Sequence, residues 1–258
     1  SMVSGGTGVR IQNAQLALAL YPASGKYALN ASGAVRLDGV TGVTLSGTLA
    51  AVVNTTGGAV AETVATPGGS LQLQFSQSQG NLFRFQGAGV QAQLGSAVQV
   101  AGGFSVERLE VGGVTTLKIG AAGVEALMNV DGKGVRLTEG TLGLLVLADG
   151  THALQASGSG SVVGIADVEA SGALTLSINN TGQARNETIS TGAQNAAGQP
   201  INVTLNLAGN VPLSITGTNL DLRIAGNRFT ADVRPSRPTS SRKGRGFRRA
   251  FGSRSRTA

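Results

Sequence analysis

The sequence predicts an all-β chain, an antiparallel meander drawn out into elongated sheets or packed as a sandwich. It is built from two tandem copies, the second incomplete. Three observations carry this expectation. Apolar residues alternate with polar or small ones along most of the chain, turn residues punctuate the runs, and one block of sequence occurs twice, 125 positions apart. A β-solenoid is the alternative, but a coil period of about 20 to 30 residues is needed for one, and none is found.

The alternation is plain in "LALALY" (Leu16, Leu18, Leu20) and "LQLQF" (Leu71, Leu73, Phe75). It returns in "LTLSI" (Leu174, Leu176, Ile178), "VTLNL" (Val203, Leu205, Leu207) and "LDLRI" (Leu220, Leu222, Ile224). A period of two turns one set of side chains to a buried face and the other to solvent. Clusters such as "NTTGG", "DGK", "ADG" and "NNTG" separate the runs, as turn residues do between strands. No segment keeps a helical period for three turns. The best helical candidate, "GAAGVEALMNV" from Gly120, is short and holds two glycines. Short turns without crossover helices imply antiparallel pairing.

The duplication sets the organisation. "KYALNASG" from Lys26 returns as "THALQASG" from Thr151, and "GVRIQNAQLALAL" from Gly8 as "GVRLTEGTLGLLVL" from Gly134. "LAAVVNTTGGAVAETVAT" from Leu49 returns as "LTLSINNTGQARNETIST" from Leu174, pairing Asn54 with Asn179 and Glu62 with Glu187. "FRFQGAGVQAQL" loosely matches "LSITGTNLDLRI", and "GFSV" matches "RFTA". Residues 1–7 read as a tag or linker, 8–133 as copy one, 134–233 as an incomplete copy two, and 234–258 as a disordered basic tail. A unit this long is no single solenoid coil; it holds about eight to ten strands of common length.

Composition narrows the chemistry. The 258 residues include 40 glycines, no Cys and no Trp, and only 13% are charged. The core must come from Leu, Val, Ile and Ala, and disulfides and thiolate metal sites are excluded. No run approaches the roughly 20 apolar residues of a membrane helix, and "SMVSGG" lacks the ordered regions of a signal peptide. The net charge of +7 resides in the tail: nine of the 20 basic residues lie from Arg234 onward with no acid among them. The rest of the chain holds 11 basic and 13 acidic residues.

Candidate chemistry is sparse. His152 is the sole histidine and copy one has Tyr27 in its place, so the fold does not need an imidazole there. Asp38-Gly39, Asp131-Gly132 and Asp149-Gly150 lack the clustered acids of calcium loops and read as tight turns. Asn30, Asn54, Asn179, Asn186 and Asn202 each open an Asn-X-Ser/Thr triplet. Glu62 and Glu187 read as a turn or strand-edge contact that the fold reuses, or as a bridge to a neighbouring unit or a sugar. No glycine-rich phosphate loop has the required spacing. The expectation is a non-enzyme with no cofactor and no metal. The tail is the strongest local signal. Its cations Arg242, Lys243, Arg245, Arg248, Arg249, Arg254 and Arg256, with Phe247 and Phe251 among them, suit salt-sensitive binding of an anionic polymer. The plainer reading is a solvated terminus.

The phrases "LALALYPASGKYALNASGAVRLDGVTGVTLSGTLAAVVNTTG", "AETVATPGG" and "GGFSVERLEVGG" resemble repeats of very long bacterial surface or secreted adhesin-like proteins, including LEPR-XLL-type giant repeat proteins. The resemblance spans most of Gly8 to Val233. It implies a bacterial, extracellular or cell-surface, non-enzymatic repeat module and brings no functional residues with it.

Three functions are therefore expected. The first is a structural or adhesive module that partners neighbouring repeats or other copies of itself, self-assembling head to tail into filaments. The second is a polyanion-binding module working through the tail. The third is a carrier that holds lipid in an apolar groove.

Overall fold

A computed structural model describes residues 2–4, 7–66 and 68–233. The basic tail, with its candidate residues Arg242 to Arg256, lies outside the described residues. The described chain is all-β apart from one short 3-10 turn at Gln77–Gln79. Copy one comprises β2 (Thr7–Tyr21), β3 (Lys26–Asp38), β4 (Val43–Asn54), β5 (Val60–Thr66), β6 (Gly69–Phe75), β7 (Leu82–Leu94), β8 (Val98–Val111) and β9 (Val114–Val130). Copy two comprises β10 (Lys133–Leu147), β11 (His152–Val163), β12 (Val168–Asn179), β13 (Arg185–Gln194), β14 (Pro200–Leu207), β15 (Val211–Ile224) and β16 (Asn227–Val233). A short β1 (Met2–Ser4) pairs with Thr7 to Val9 of β2. Met2–Ser4, within the expected tag or linker, thus pair with the sheet.

Twelve strands form one antiparallel sheet in the order β1-β2-β3-β4-β7-β8-β9-β10-β11-β12-β15-β16. The meander is interrupted twice, once in each copy, where a two-stranded hairpin leaves the sheet: β5–β6 and β13–β14. The sheet does not close, because β16 is not hydrogen-bonded to β1. Of the expected architectures, the single elongated sheet is the one formed. The helical candidate at Gly120 is the second half of the 17-residue β9.

The two copies correspond strand for strand, from β2 with β10 through β8 with β16; β9 has no counterpart among the described strands of copy two. The pairing register corrects one match. Phe104 stands opposite Gly87, and Val233 stands opposite Gly217. "GFSV" therefore aligns with the end of β16 and not with "RFTA".

Strand pairing fixes two faces of opposite character, since residues directly opposite in a ladder share a face. One row runs Leu16, Ala31, Ala51, Phe85, Val106, Ile119, Leu144, Leu154, Ile178 across nine strands. The next row on the other face runs Ala17, Asn30, Val52, Arg84, Glu107, Lys118, Leu145, Ala153, Asn179. Each long strand thus has an apolar side and a polar or small side.

Both hairpins lie on the polar side, and the two small cores form there. Leu73 and Phe75 of β6 and Val60 of β5 pack on Ala17 and Ala28 of the sheet. Ile189 of β13 with Leu205 and Leu207 of β14 pack on Leu145 and Ala153. The small alanines at these sheet positions let a hairpin approach at the usual sheet-on-sheet spacing. The second hairpin is the longer. It crosses from its own copy over β9 to β8 and β7 of copy one. Room comes from glycine: a Cβ on Gly120 would collide with the Ser190 carbonyl oxygen.

The long strands β2, β7, β9, β10 and β15 each carry a β-bulge, at Asn13, Gly89, Gly123, Glu139 and Asn219, with φ of 51, 56, 60, 54 and 53°. The register shifts at each of these positions. Asn13 and Glu139 occupy the same place in the two copies, as do Gly89 and Asn219. The strand beside a bulge turns glycine toward it: a Cβ on Gly47 would stand 2.9 Å from Val90 Cα.

Candidate functional site

The apolar face of the sheet is the main candidate. Among the described residues, large apolar side chains that remain exposed lie almost entirely on it. The exceptions are Val40 and Ile165 in turns, Val111 and Val114 beside the Gly112-Gly113 turn, and Ile201 on a hairpin. Exposure is high for strand residues: Leu16 is 56% exposed, Leu20 64%, Leu174 50%, Ile215 52% and Phe229 59%. Contiguous apolar surface of this extent marks a contact with something other than water.

Charge respects the same division. Arg84 pairs with Glu107 at 2.6 Å, Arg10 with Asp38 at 2.9 Å and Arg228 with Asp221 at 2.8 Å, all on the polar face. Arg108, loosely paired with Glu110 at 3.9 Å, is an exception on the apolar side, near the end of β8. A groove of about 480 Å³ crosses the apolar face from Val135 to Phe229, floored by Gly160 and Gly172 and walled by Val162, Leu174, Leu220 and Leu222. It spans four strand-to-strand steps, or about 19 Å, and its size suits a small-molecule site.

The duplicated residues have structural partners. The Asn54 side chain is 1% exposed. Its Oδ1 accepts from the Thr56 N–H at 3.0 Å and the Thr56 hydroxyl at 2.8 Å, and its Nδ2 donates to the Gly58 carbonyl at 2.9 Å. Asn179 repeats this with Thr181 at 3.0 and 2.8 Å and Gln183 at 2.8 Å, and adds the Ala208 carbonyl at 2.7 Å. These two Asn-X-Thr triplets hold the entry to each hairpin with their side chains inward. Glu187 makes a bridge between units: the Lys118 Nζ of copy one donates to its carboxylate at 2.8 Å. Its counterpart Glu62 is exposed; it lies beside Tyr21, whose phenol is pushed up by desolvation and then by this carboxylate.

The other candidates stay apart. His152 is half-buried, and its backbone N–H donates to Asn180 Oδ1 at 2.6 Å. Asp131 and Gly132, with φ of 52 and 80°, make the left-handed turn between β9 and β10. Asp149 accepts from the Thr151 N–H and hydroxyl at 2.9 and 2.6 Å, and those bonds hold its carboxyl below the usual range. Hydrogen bonding from Arg36, with Arg10 alongside, does the same to Asp38. The described residues hold no cluster of three or more His, Cys, Asp or Glu that would bind a metal ion, and no helix long and apolar enough to cross a membrane.

Comparison with family models, curated proteins and solved structures finds no match to this chain.

Proposed function

We propose that this chain is a non-catalytic, extracellular β-sheet module whose apolar face receives hydrocarbon chains. One observation carries the reading. The chain folds both of its spare hairpins onto the polar face and leaves the apolar face bare. Fully burying a Leu or Phe yields about 1.5–3 kcal/mol, and covering a half-exposed one yields roughly half of that. A handful of them rivals the whole stability of a domain, roughly 5–15 kcal/mol. Acyl chains match this surface because they need no polar partner, and few polar groups interrupt it.

The structural role expected from the repeats belongs to the same proposal. Copies one and two share one sheet, so the apolar face lengthens with each unit. Lack of cysteine and the resemblance to secreted repeat proteins support an extracellular setting. The polyanion-binding role rests on the tail alone.

The experiment is extraction of co-purified lipid and titration with a fluorescent fatty acid, comparing the chain with Leu174→Asp/Leu222→Asp. The expected result is saturable uptake that the variant loses by about tenfold or more. Equal uptake by both proteins overturns the reading. So does a wild-type dimer, seen by sedimentation, that covers the face and takes up no probe.

A further inference from the structure

We propose that the open edge of β2, with the hairpin β5–β6 above it, is a seat for one added strand. The occupant is a β9-type strand from another unit of this repeat. The inference rests on the units continuing a single sheet and is independent of hydrocarbon binding.

The template is the junction between the two copies. There β9 lies along β10 from Thr116 to Val130, and the hairpin β13–β14 crosses above both. Three features define that junction. Lys118 stands opposite Leu145 and reaches up to Glu187 at 2.8 Å. Gly120, opposite Gly143, admits the hairpin backbone at Ser190. The ladder hydrogen bonds complete the seat.

At β2 the same seat is half built. β1 pairs Met2 with Val9 and Ser4 with Thr7, the register in which Met128 pairs with Val135 and Val130 with Lys133. On its outer edge, away from β3, β2 has no strand beside it from Arg10 to Tyr21 among the described residues. That stretch corresponds to the part of β10 that Thr116 to Leu127 occupy. The hairpin β5–β6 already rests on β2 and β3, and it presents Glu62 where copy two presents Glu187. An incoming strand laid in the β9 register puts its lysine opposite Ala19, next to Glu62, and its glycine opposite the buried Ala17. An exposed edge adds a strand through main-chain hydrogen bonds, and side-chain positions then select which strand. Here the selection is for lysine two residues before glycine, the Lys118-Ile119-Gly120 of β9.

The test uses the full chain and a labelled peptide of residues 114–127, which leaves β1 in place. Anisotropy is expected to show saturable binding that a Gly120→Val peptide abolishes. A Lys118→Glu peptide is expected to bind about tenfold more weakly to the chain and to regain affinity for Glu62→Lys. Since the chain has no cysteine, register is read directly. Leu18→Cys is expected to cross-link an Ile119→Cys peptide, as Leu144 faces Ile119 in the template, and Ile11→Cys is expected not to. Absence of binding overturns the proposal. So does binding that ignores Glu62→Lys and cross-links both cysteines alike, the mark of a peptide lying on the apolar face. Leu174→Asp/Leu222→Asp is expected to leave peptide binding unchanged, so the two proposals fail separately.

Discussion

At the scale of single residues, stability concentrates in buried polar side chains that recur in both copies. Asn179 makes four hydrogen bonds to the chain around it and Asn54 three, each from a nearly inaccessible position. Removing such a side chain strands its former partners, at about 1–3 kcal/mol. Asn179→Ala is expected to destabilise at the upper end of that range and Asn54→Ala by less, as urea midpoints would show. Two of the Asn-X-Ser/Thr triplets noted in the sequence prove to be hairpin anchors. The repeat revealed that these asparagines mattered. Their inward orientation was not legible, because it depends on carbonyls that the fold brings close, such as that of Ala208 just past β14.

The carboxylates give a pH dependence with a definite sign. Asp38, Asp149 and Asp221 are held low by Arg36, Thr151 and Arg228 respectively. A carboxyl whose folded pKa is depressed adds stability above its unfolded value, about pH 4, and loses it as pH falls through the folded value. Thermal midpoints are expected to be level from pH 7 to about 5 and to fall below about 4. The effect is small because Asp149 is exposed and the arginines that pair with the half-buried Asp38 and Asp221 are themselves exposed, and Asp221→Asn is expected to reduce the slope.

At the scale of elements, the strands were legible and the hairpins were not. Period-two alternation reports where a strand is and which residues share a face, so runs such as "LALALY" and "LDLRI" place β2 and β15 directly. Alternation is silent about what lands on that face. The hairpins β5–β6 and β13–β14 alternate just as the sheet strands do, and they leave the sheet because Asn54 and Asn179 turn the chain out of it. Glycine-rich β9 looked weakly helical because small residues carry little β signal, yet Gly120 is there to admit the second hairpin. Gly120→Val is expected to lift β13–β14 from the sheet. The cost is about 1–3 kcal/mol for the overpacked position, and exposure of the apolar surface around Ile189 adds to it. Limited proteolysis is expected to open first near Asn195.

At the scale of the molecule, the duplication foretold a modular sheet. A bridge from Glu187 to a neighbouring unit was one reading of the repeated acids; what the duplication did not foretell was that a whole hairpin couples the copies. The second hairpin belongs to copy two and rests on copy one, with Lys118 and Glu187 joined across the boundary. The chain is therefore expected to melt in one calorimetric transition. Lys118→Glu is expected to separate the copies into two, and two peaks in the unmodified chain would show them independent. The apolar face was legible strand by strand in the sequence. Its continuity from strand to strand depends on register, which no single run of residues states.

The bulges at Asn13, Gly89, Gly123, Glu139 and Asn219 meet their neighbours at nearly the same height, so the interruptions join into a line across the sheet. Ladder bonding is sparsest along that line and side chains are smallest beside it, as at Gly47 and Gly102. The line is like the fold in a sheet of card: bending stiffness is expected to be lowest there, with the two flanks as stiffer panels. For the proposed hydrocarbon contact, a surface creased in this way is expected to adjust to the girth of its occupant without breaking a strand.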